Sequence, residues 1–156
     1  MRALTHLVVF RMGEQRYAVS LDVVERIIPA VEITALPNAP PIVLGVINVA
    51  GRILPVLNLR RRLRMPEREI SPVDQFLIAY ATRQVALVVD EVQGLIERPD
   101  TGIVKSAEIN PALGQIQGLI KLPDGLVLIY DLEKFLSADE TQSLDEALNQ
   151  EVSHGA

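Results

Sequence analysis

The chain contains no cysteine and no tryptophan. The first absence excludes a disulfide framework and thiolate-ligated metal, and it suits a reducing compartment. Three Phe and three Tyr in 156 residues offer little to stack against nucleic-acid bases. Histidine is almost as scarce: His6 stands beside an apolar run and His154 near the end. Neither has Cys, His or paired carboxylates around it at metal-ligand spacing, so no metal and no cofactor is expected. There is no G-x-G-x-x-G and no P-loop. Ser20 and Ser106 lack the flanking glycines of a hydrolase elbow. Positive charge is not in excess either, and a formal net charge of −5 argues against a nucleic-acid backbone as partner. The longest apolar run, PPIVLGVINVAG (40–51), falls well short of the roughly 20 residues that span a bilayer. The opening MRALTHLVVFRMGEQRY is broken by Arg11 and Gly13, unlike a signal peptide. A cytoplasmic, non-enzymatic protein without membrane insertion is the expectation.

What the chain has in abundance is apolar surface, 49% of its residues, and a phrase written twice. GVINVAGRILPVLNLRRRL (45–63) aligns on GLIKLPDGLVLIYDLEKFL (118–136), and YAVSLDVVERII (17–28) aligns on VALVVDEVQGLI (85–96). Identical pairs run through both: Ala18/Ala86, Asp22/Asp90, Val24/Val92, Ile28/Ile96, Gly45/Gly118, Ile47/Ile120, Leu59/Leu132 and Leu63/Leu136. Asp and Gly matches in the same order point to two related lobes rather than to chance among β-rich stretches.

Each copy has one local grammar. LVVF, MGEQ, RYAVSL is a strand, turn and strand, and FLIAYA, TRQ, VALVV repeats it. Asp22 and Asp90 end these strands, where each is expected to cap a helical turn; Asp22 with Glu25 also fits a capping box. ERIIP reads as a further strand, and PNAPPIVLG as a proline-broken connector. Hairpins follow, turning at Ala50-Gly51 in one copy and at Pro123-Asp124-Gly125 in the other. Pro55 inside a strand predicts an edge or a bulge. About five short strands per copy predict a mainly β fold of two small five-stranded antiparallel barrels side by side, with approximate lobes 7–66 and 73–136. Ser137 and Glu140 form a second capping-box pattern, opening an amphipathic C-terminal helix over about 138–150, with EVSHGA trailing beyond it.

Arg60, Arg61, Arg62, Arg64 and Arg68 make the densest basic cluster. The favoured reading is the solvated face of a short helix; the other is a docking patch for an acidic partner. Asp22, Asp90 and Asp131 read as caps rather than catalytic carboxylates. With no chemistry assembled, sheet edges and grooves are what remains to offer, and the chain reads as a protein-interaction module.

VVFRMGEQRYAVSLDVVERIIP, LPNAPPIVLGVINVAGRILPVLNLRRRL and VALVVDEVQGLIE together resemble the CheW family of bacterial chemotaxis coupling proteins, from about Leu7 to Leu136. The resemblance implies paired five-stranded barrels within one CheW-like domain. It implies an adaptor without an active site, linking the cytoplasmic tip of transmembrane chemoreceptors to the regulatory domain of the histidine kinase CheA in membrane-associated arrays. Self-association into rings is a further implication. Matched residue by residue, the receptor groove would take Val24, Ile27, Gly45, Val88, Val89 and Val92, while Glu25 and Arg26 would face the kinase. The family commonly has N-L-R-G at the hairpin turn, where this chain has Asn48-Val49-Ala50-Gly51 followed by Arg52. Either Arg52 stands in for the missing arginine from the other side of the turn, or the adaptor serves a non-motility chemosensory pathway with differently shaped receptors. The alternative is a CheW-like scaffold or assembly modulator of a non-motility pathway, binding array components without coupling them.

Overall fold

Strands such as Leu7-Val8-Val9-Phe10 and Phe76-Leu77-Ile78-Ala79 carry no polar face, and the fold needs none there. Successive side chains of a strand point to opposite sides, and both sides are buried. Leu7 and Val9 pack with Ala18, Ile120, Val127 and Ile129 in one core. Phe76 and Ile78 pack with Ile47, Leu54, Val56 and Ala86 in a second. The intervening Val8, Phe10, Leu77 and Ala79 meet in a third and larger core, with Leu57, Leu87 and Val89. Each sheet thus keeps a small core of its own and shares the third with its neighbour.

The computed structural model describes residues 4–80, 82–105 and 116–154, without the side chains of 100 and 150–154. One sheet has the order β8-β1-β2-β11-β10-β9, from β1 (Leu4–Met12), β2 (Gln15–Ser20), β8 (Glu91–Pro99), β9 (Val104–Lys105), β10 (Ile116–Leu122) and β11 (Gly125–Tyr130). The other has the order β3-β6-β7-β5-β4, from β3 (Val24–Pro29), β4 (Val43–Val49), β5 (Arg52–Leu57), β6 (Gln75–Tyr80) and β7 (Gln84–Val89). The expected pair of five-stranded units is present, the sixth strand of the first sheet being the two-residue β9. The sheets do not follow the expected boundary between 7–66 and 73–136. Instead β1 and β2 of the first copy pair with β8 and β11 of the second, while β6 and β7 join β3 and β5. The copies exchange their first hairpins, which the linear alignment cannot reveal.

Repeated residues hold equivalent places. Ala18 and Ala86 are fully buried, as are Ile47 and Ile120. Ile28 and Ile96 pack on the separate cores of the two sheets, and Leu63 and Leu136 both pack on the shared one. Parallel pairing of β5 with β7 is matched by that of β11 with β2.

Pro55 lies in an interior strand, not at an edge. It opposes Val46, whose own N–H and C=O both bond to Thr34 on the far side, so β4 asks nothing of the proline nitrogen. On the other side, pairing with β7 starts only at Val56. Proline is tolerated because it enters the ladder at a position with no bond to donate.

Capping also differs from expectation in the first copy. Ser20 caps the 3-10 turn at Leu21–Val23, accepting from the Asp22 N–H, and Glu25 is engaged elsewhere. The second capping box forms as read: Glu140 N–H donates to Ser137 Oγ at 3.1 Å, and Ser137 N–H donates to Glu140 Oε1 at 2.9 Å. It starts α2 (Ala138–His154), which runs beyond the expected end. Leu144 and Ala147 seat this helix on the shared core. Arg62 also pairs with Glu140, and Arg83 with Asp145. Among the described residues no helix is long and apolar enough to cross a membrane.

Candidate protein-interaction site

The β4–β5 hairpin turns on Ala50 at φ 52° and Gly51 at φ 86°. Two successive left-handed residues are what a tight hairpin requires, and glycine meets that demand while alanine resists it. Asn48 steadies the turn, its Oδ1 accepting the Gly51 N–H at 2.9 Å. The turn brings Arg52 back opposite Val49 at the start of β5.

From there a polar chain crosses three strands. Arg52 Nη1 donates to Gln84 Oε1 at 2.9 Å, and Gln84 Nε2 donates to Glu25 Oε2 at 2.6 Å. Glu25 falls at a bulge, where pairing with β6 jumps from Val24 to Arg26, and bulges re-aim side chains at sheet margins. These three residues, with Arg26, Val49, Ala50, Leu54 and Ile78, line a groove of about 270 Å³. Its walls combine charges of both signs with the buried Leu54 and Ile78. No nucleophile paired with a base lines it, and among the described residues no three His, Asp or Glu are grouped to hold a metal. The arrangement suits recognition of another protein's surface.

The structure gathers Glu25, Arg26, Ala50 and Arg52 at this groove, with Asn48 holding its turn. It distributes the other expected contacts differently. Ile27 is exposed on the edge strand β3. Val24 and Val92 are half-buried against the shared core, and Val88 against the core of its own sheet. Val89 is 0% exposed. Gly45 is buried, and a Cβ there would lie 2.3 Å from the Thr34 carbonyl oxygen. Val89 and Gly45 therefore hold the fold and present no surface. Gln84 was not singled out by the sequence; a glutamine in a strand gives no local sign that it bridges two charges.

A second polar assembly sits where the two sheets meet. The Asp90 side chain is only 9% exposed and accepts the Gly13 N–H at 2.7 Å. Arg60 Nη2 reaches both its oxygens, at 2.7 and 2.8 Å, and Arg68 Nη2 reaches one at 2.9 Å. Arg68 also forks onto Asp74 at 2.7 and 2.9 Å. Burial alone would push the Asp90 carboxyl up, but the Gly13 N–H and the Arg60 guanidinium hold it below its ordinary value. Asp74 behaves likewise: burial opposes ionisation, and Arg68 and the Ser71 N–H outweigh it. Asp90 thus accepts a backbone N–H as expected, but from the β1–β2 turn across the sheet boundary rather than from a following helix.

These contacts correct the solvated-face reading of the arginines. Only 15% of the Arg60 side chain is exposed, and Arg62, against Glu140, stacks 5.7 Å from the Phe135 ring centroid. The short helix α1 (Leu59–Arg62) turns alternate arginines inward as ties. His6 sits 3.0 Å from Glu97 at the surface; the side chain of His154 and all of Ser106 lie outside the described residues.

Comparison with known proteins agrees with this fold. The CheW-like domain family model matches residues 6–140. The chemotaxis protein CheW of Bacillus subtilis is 30% identical over 145 residues, covering 88% of this chain and 90% of its own length. A probable chemotaxis protein CheW of Rhizobium etli is 29% identical over 140 residues, with the same coverage of 88% and 90%. The crystal structure of scaffolding protein TtCheW from Thermoanaerobacter tengcongensis aligns with a TM-score of 0.78 at 25% identity, over 90% of this chain and 96% of that one. The family match takes in strands of both sheets, the hairpin groove and the ionic junction between the sheets, and this chain belongs to the CheW-like domain family.

Proposed function

We propose that this protein is a non-enzymatic adaptor that couples transmembrane chemoreceptors to the histidine kinase CheA in chemosensory arrays. Its place is the cytoplasmic side of the membrane, beside the receptor tips. The observation that carries this reading is a CheW-like match running through nearly the whole chain; a lined groove at the β4–β5 hairpin, where the resemblance would put the coupling turn, supports it. Arg52, held by Gln84, which Glu25 holds in turn, supplies the cation at that turn in place of an arginine at position 50. Val24, Ile27, Val88 and Val92 form the adjoining apolar receptor-facing set, and Glu25 and Arg26 face the kinase regulatory domain. Edge strands leave open the pairing of adaptor with kinase, or with further copies in rings.

Ala50 itself favours a second reading. An adaptor without the usual arginine at the turn tip suits a scaffold or assembly modulator of a non-motility pathway, which binds receptor or kinase without transmitting between them. Co-sedimentation with receptor-bearing membranes and with CheA, each alone and both together, tests the two. Joint recruitment with kinase activation supports coupling; joint recruitment without activation supports the scaffold; recruitment to neither rejects both.

A further inference from the structure

We propose that the cleft beside α1 is a second docking site, binding an acidic segment of a partner protein through Arg61, Arg62 and Arg64. The cleft has a volume of about 330 Å³ and is lined by those three arginines with Pro41, Ile42 and Glu140. Three cations and one carboxylate make it a basic spot on a chain whose net charge is −5. The carboxylate is already engaged, since Glu140 Oε1 takes both an Arg62 guanidinium N–H and the Ser137 N–H.

Arg62 is tied to Glu140 and Phe135, but Arg61 and Arg64 are under-used. Arg62 Nε is the one buried side-chain nitrogen or oxygen without a hydrogen-bond partner among the described residues. That atom is enclosed, so what Arg62 offers the cleft is the exposed 21% of its side chain and not Nε. Arg61 is half-exposed, and its nearest carboxylate, Glu67, stands 3.8 Å away. The Arg64 guanidinium makes no hydrogen bond or ion pair among the described residues. Its backbone is nevertheless held at φ 57°, just past the end of α1. That position ordinarily selects glycine, because a left-handed residue with a side chain is strained. The turn is hydrogen-bonded, Arg64 N–H donating to the Arg61 carbonyl at 3.2 Å and Met65 N–H to that of Arg60 at 2.8 Å, so the fold accounts for the backbone. It gives the guanidinium no partner among the described residues, and that free cation is what Arg64 offers a ligand.

Guanidinium forks recognise carboxylates in pairs, and Pro41 and Ile42 add an apolar wall for the segment that carries them. A nucleic acid fits less well. No aromatic side chain lines the cleft to stack a base, and a long polyanion would run out over an acidic surface. The cleft shares no residue with the groove at Arg52, so this site and the coupling role stand or fall in separate assays.

The test uses a fluorescein-labelled ten-residue Glu-rich peptide, titrated by anisotropy against the full chain, with R64G and R61Q beside it. R64G removes the strain and the cation together. It should melt at a higher temperature than the wild type yet bind the peptide about tenfold more weakly, one charge-assisted hydrogen bond being worth about that factor. R61Q should weaken binding in the same direction, and raised salt should weaken the wild type. Peptide binding unmoved by both variants overturns the proposal. So does inorganic phosphate competing at the peptide's own affinity, or a single-stranded RNA binding more tightly than the peptide.

Discussion

Gly45 and Gly118 stand at matching points of the two sheets, each with a neighbouring backbone where its side chain would be. A Cβ on Gly45 would lie 2.3 Å from the Thr34 carbonyl oxygen, and one on Gly118 would lie 2.7 Å from that of Val104. Ile33 and Ile103 crowd the same two places. The repeated glycines are therefore a steric demand made twice by one strand crossing. G45A and G118A should each destabilise the protein by about 3 kcal/mol, since a carbonyl cannot step aside as a side chain can. G51A, which meets nothing within 4 Å and carries only a strained φ, should cost about 1 kcal/mol. Urea denaturation of the three variants checks the order.

The ionic junction predicts a pH dependence. The Asp90 carboxyl titrates below its ordinary value in the folded state, with burial opposed and outweighed by the Gly13 N–H and Arg60. A carboxylate depressed in this way stabilises the fold fully above its unfolded value of about 3.9, and that contribution is lost as pH falls below it toward the folded value. D90N removes the charge and leaves Arg60 and Arg68 without their shared carboxylate. It should cost about 3 kcal/mol at pH 7 and flatten the fall in stability as the pH drops below about 4. Denaturation midpoints across that window decide it, and a variant whose stability falls as steeply as the wild type's removes Asp90 from the account.

Ala50 sits left-handed at φ 52° in a turn otherwise set by Asn48 and Gly51. A50G should therefore stabilise the protein by about 0.5–1 kcal/mol. If Ala50 is only a turn residue, A50G leaves partner binding unchanged while raising the melting temperature. A rise in stability accompanied by lost binding would make the methyl group itself a contact.

Arg52 tests the groove. R52A breaks the link through Gln84 to Glu25 and should weaken binding to a receptor-tip fragment about tenfold, a charged hydrogen-bonded contact being worth roughly 1.5–3 kcal/mol. A50R should restore binding to R52A, by placing a cation at the turn tip. If neither substitution alters receptor binding, the groove is not the receptor site.

Much of the architecture is legible in the chain because it rests on local rules. Ala50-Gly51 turns a hairpin, Ser137 and Glu140 start a helix, and the paired Gly, Ile and Leu positions recur where the two sheets make equal demands. What escaped the sequence was long-range. The exchange of hairpins between copies is set by which edges meet, and LVVF and FLIA, buried on both faces, look alike in either sheet. Pro55 sits in an interior strand because Val46 bonds to Thr34, and no window around Pro55 contains that fact. Asp22 and Asp90 match in the alignment but part in the structure. Asp22 is exposed beside a Ser20 cap, whereas Asp90 meets Arg60 and Arg68 from another segment. The arginines looked solvated because their carboxylate partners are up to 78 residues away in sequence. Arg52 was visible as a displaced charge, but its support by Gln84 and Glu25 appears only once β3, β5 and β7 are in place.

The most direct measurement is CheA autophosphorylation in receptor-containing membranes, with and without this protein, across an attractant titration. Coupling predicts kinase activity that rises with the adaptor, requires the receptor, falls with attractant, and is lost in R52A. Recruitment of both partners with no change in kinase activity, in the wild type and in A50R alike, would contradict it.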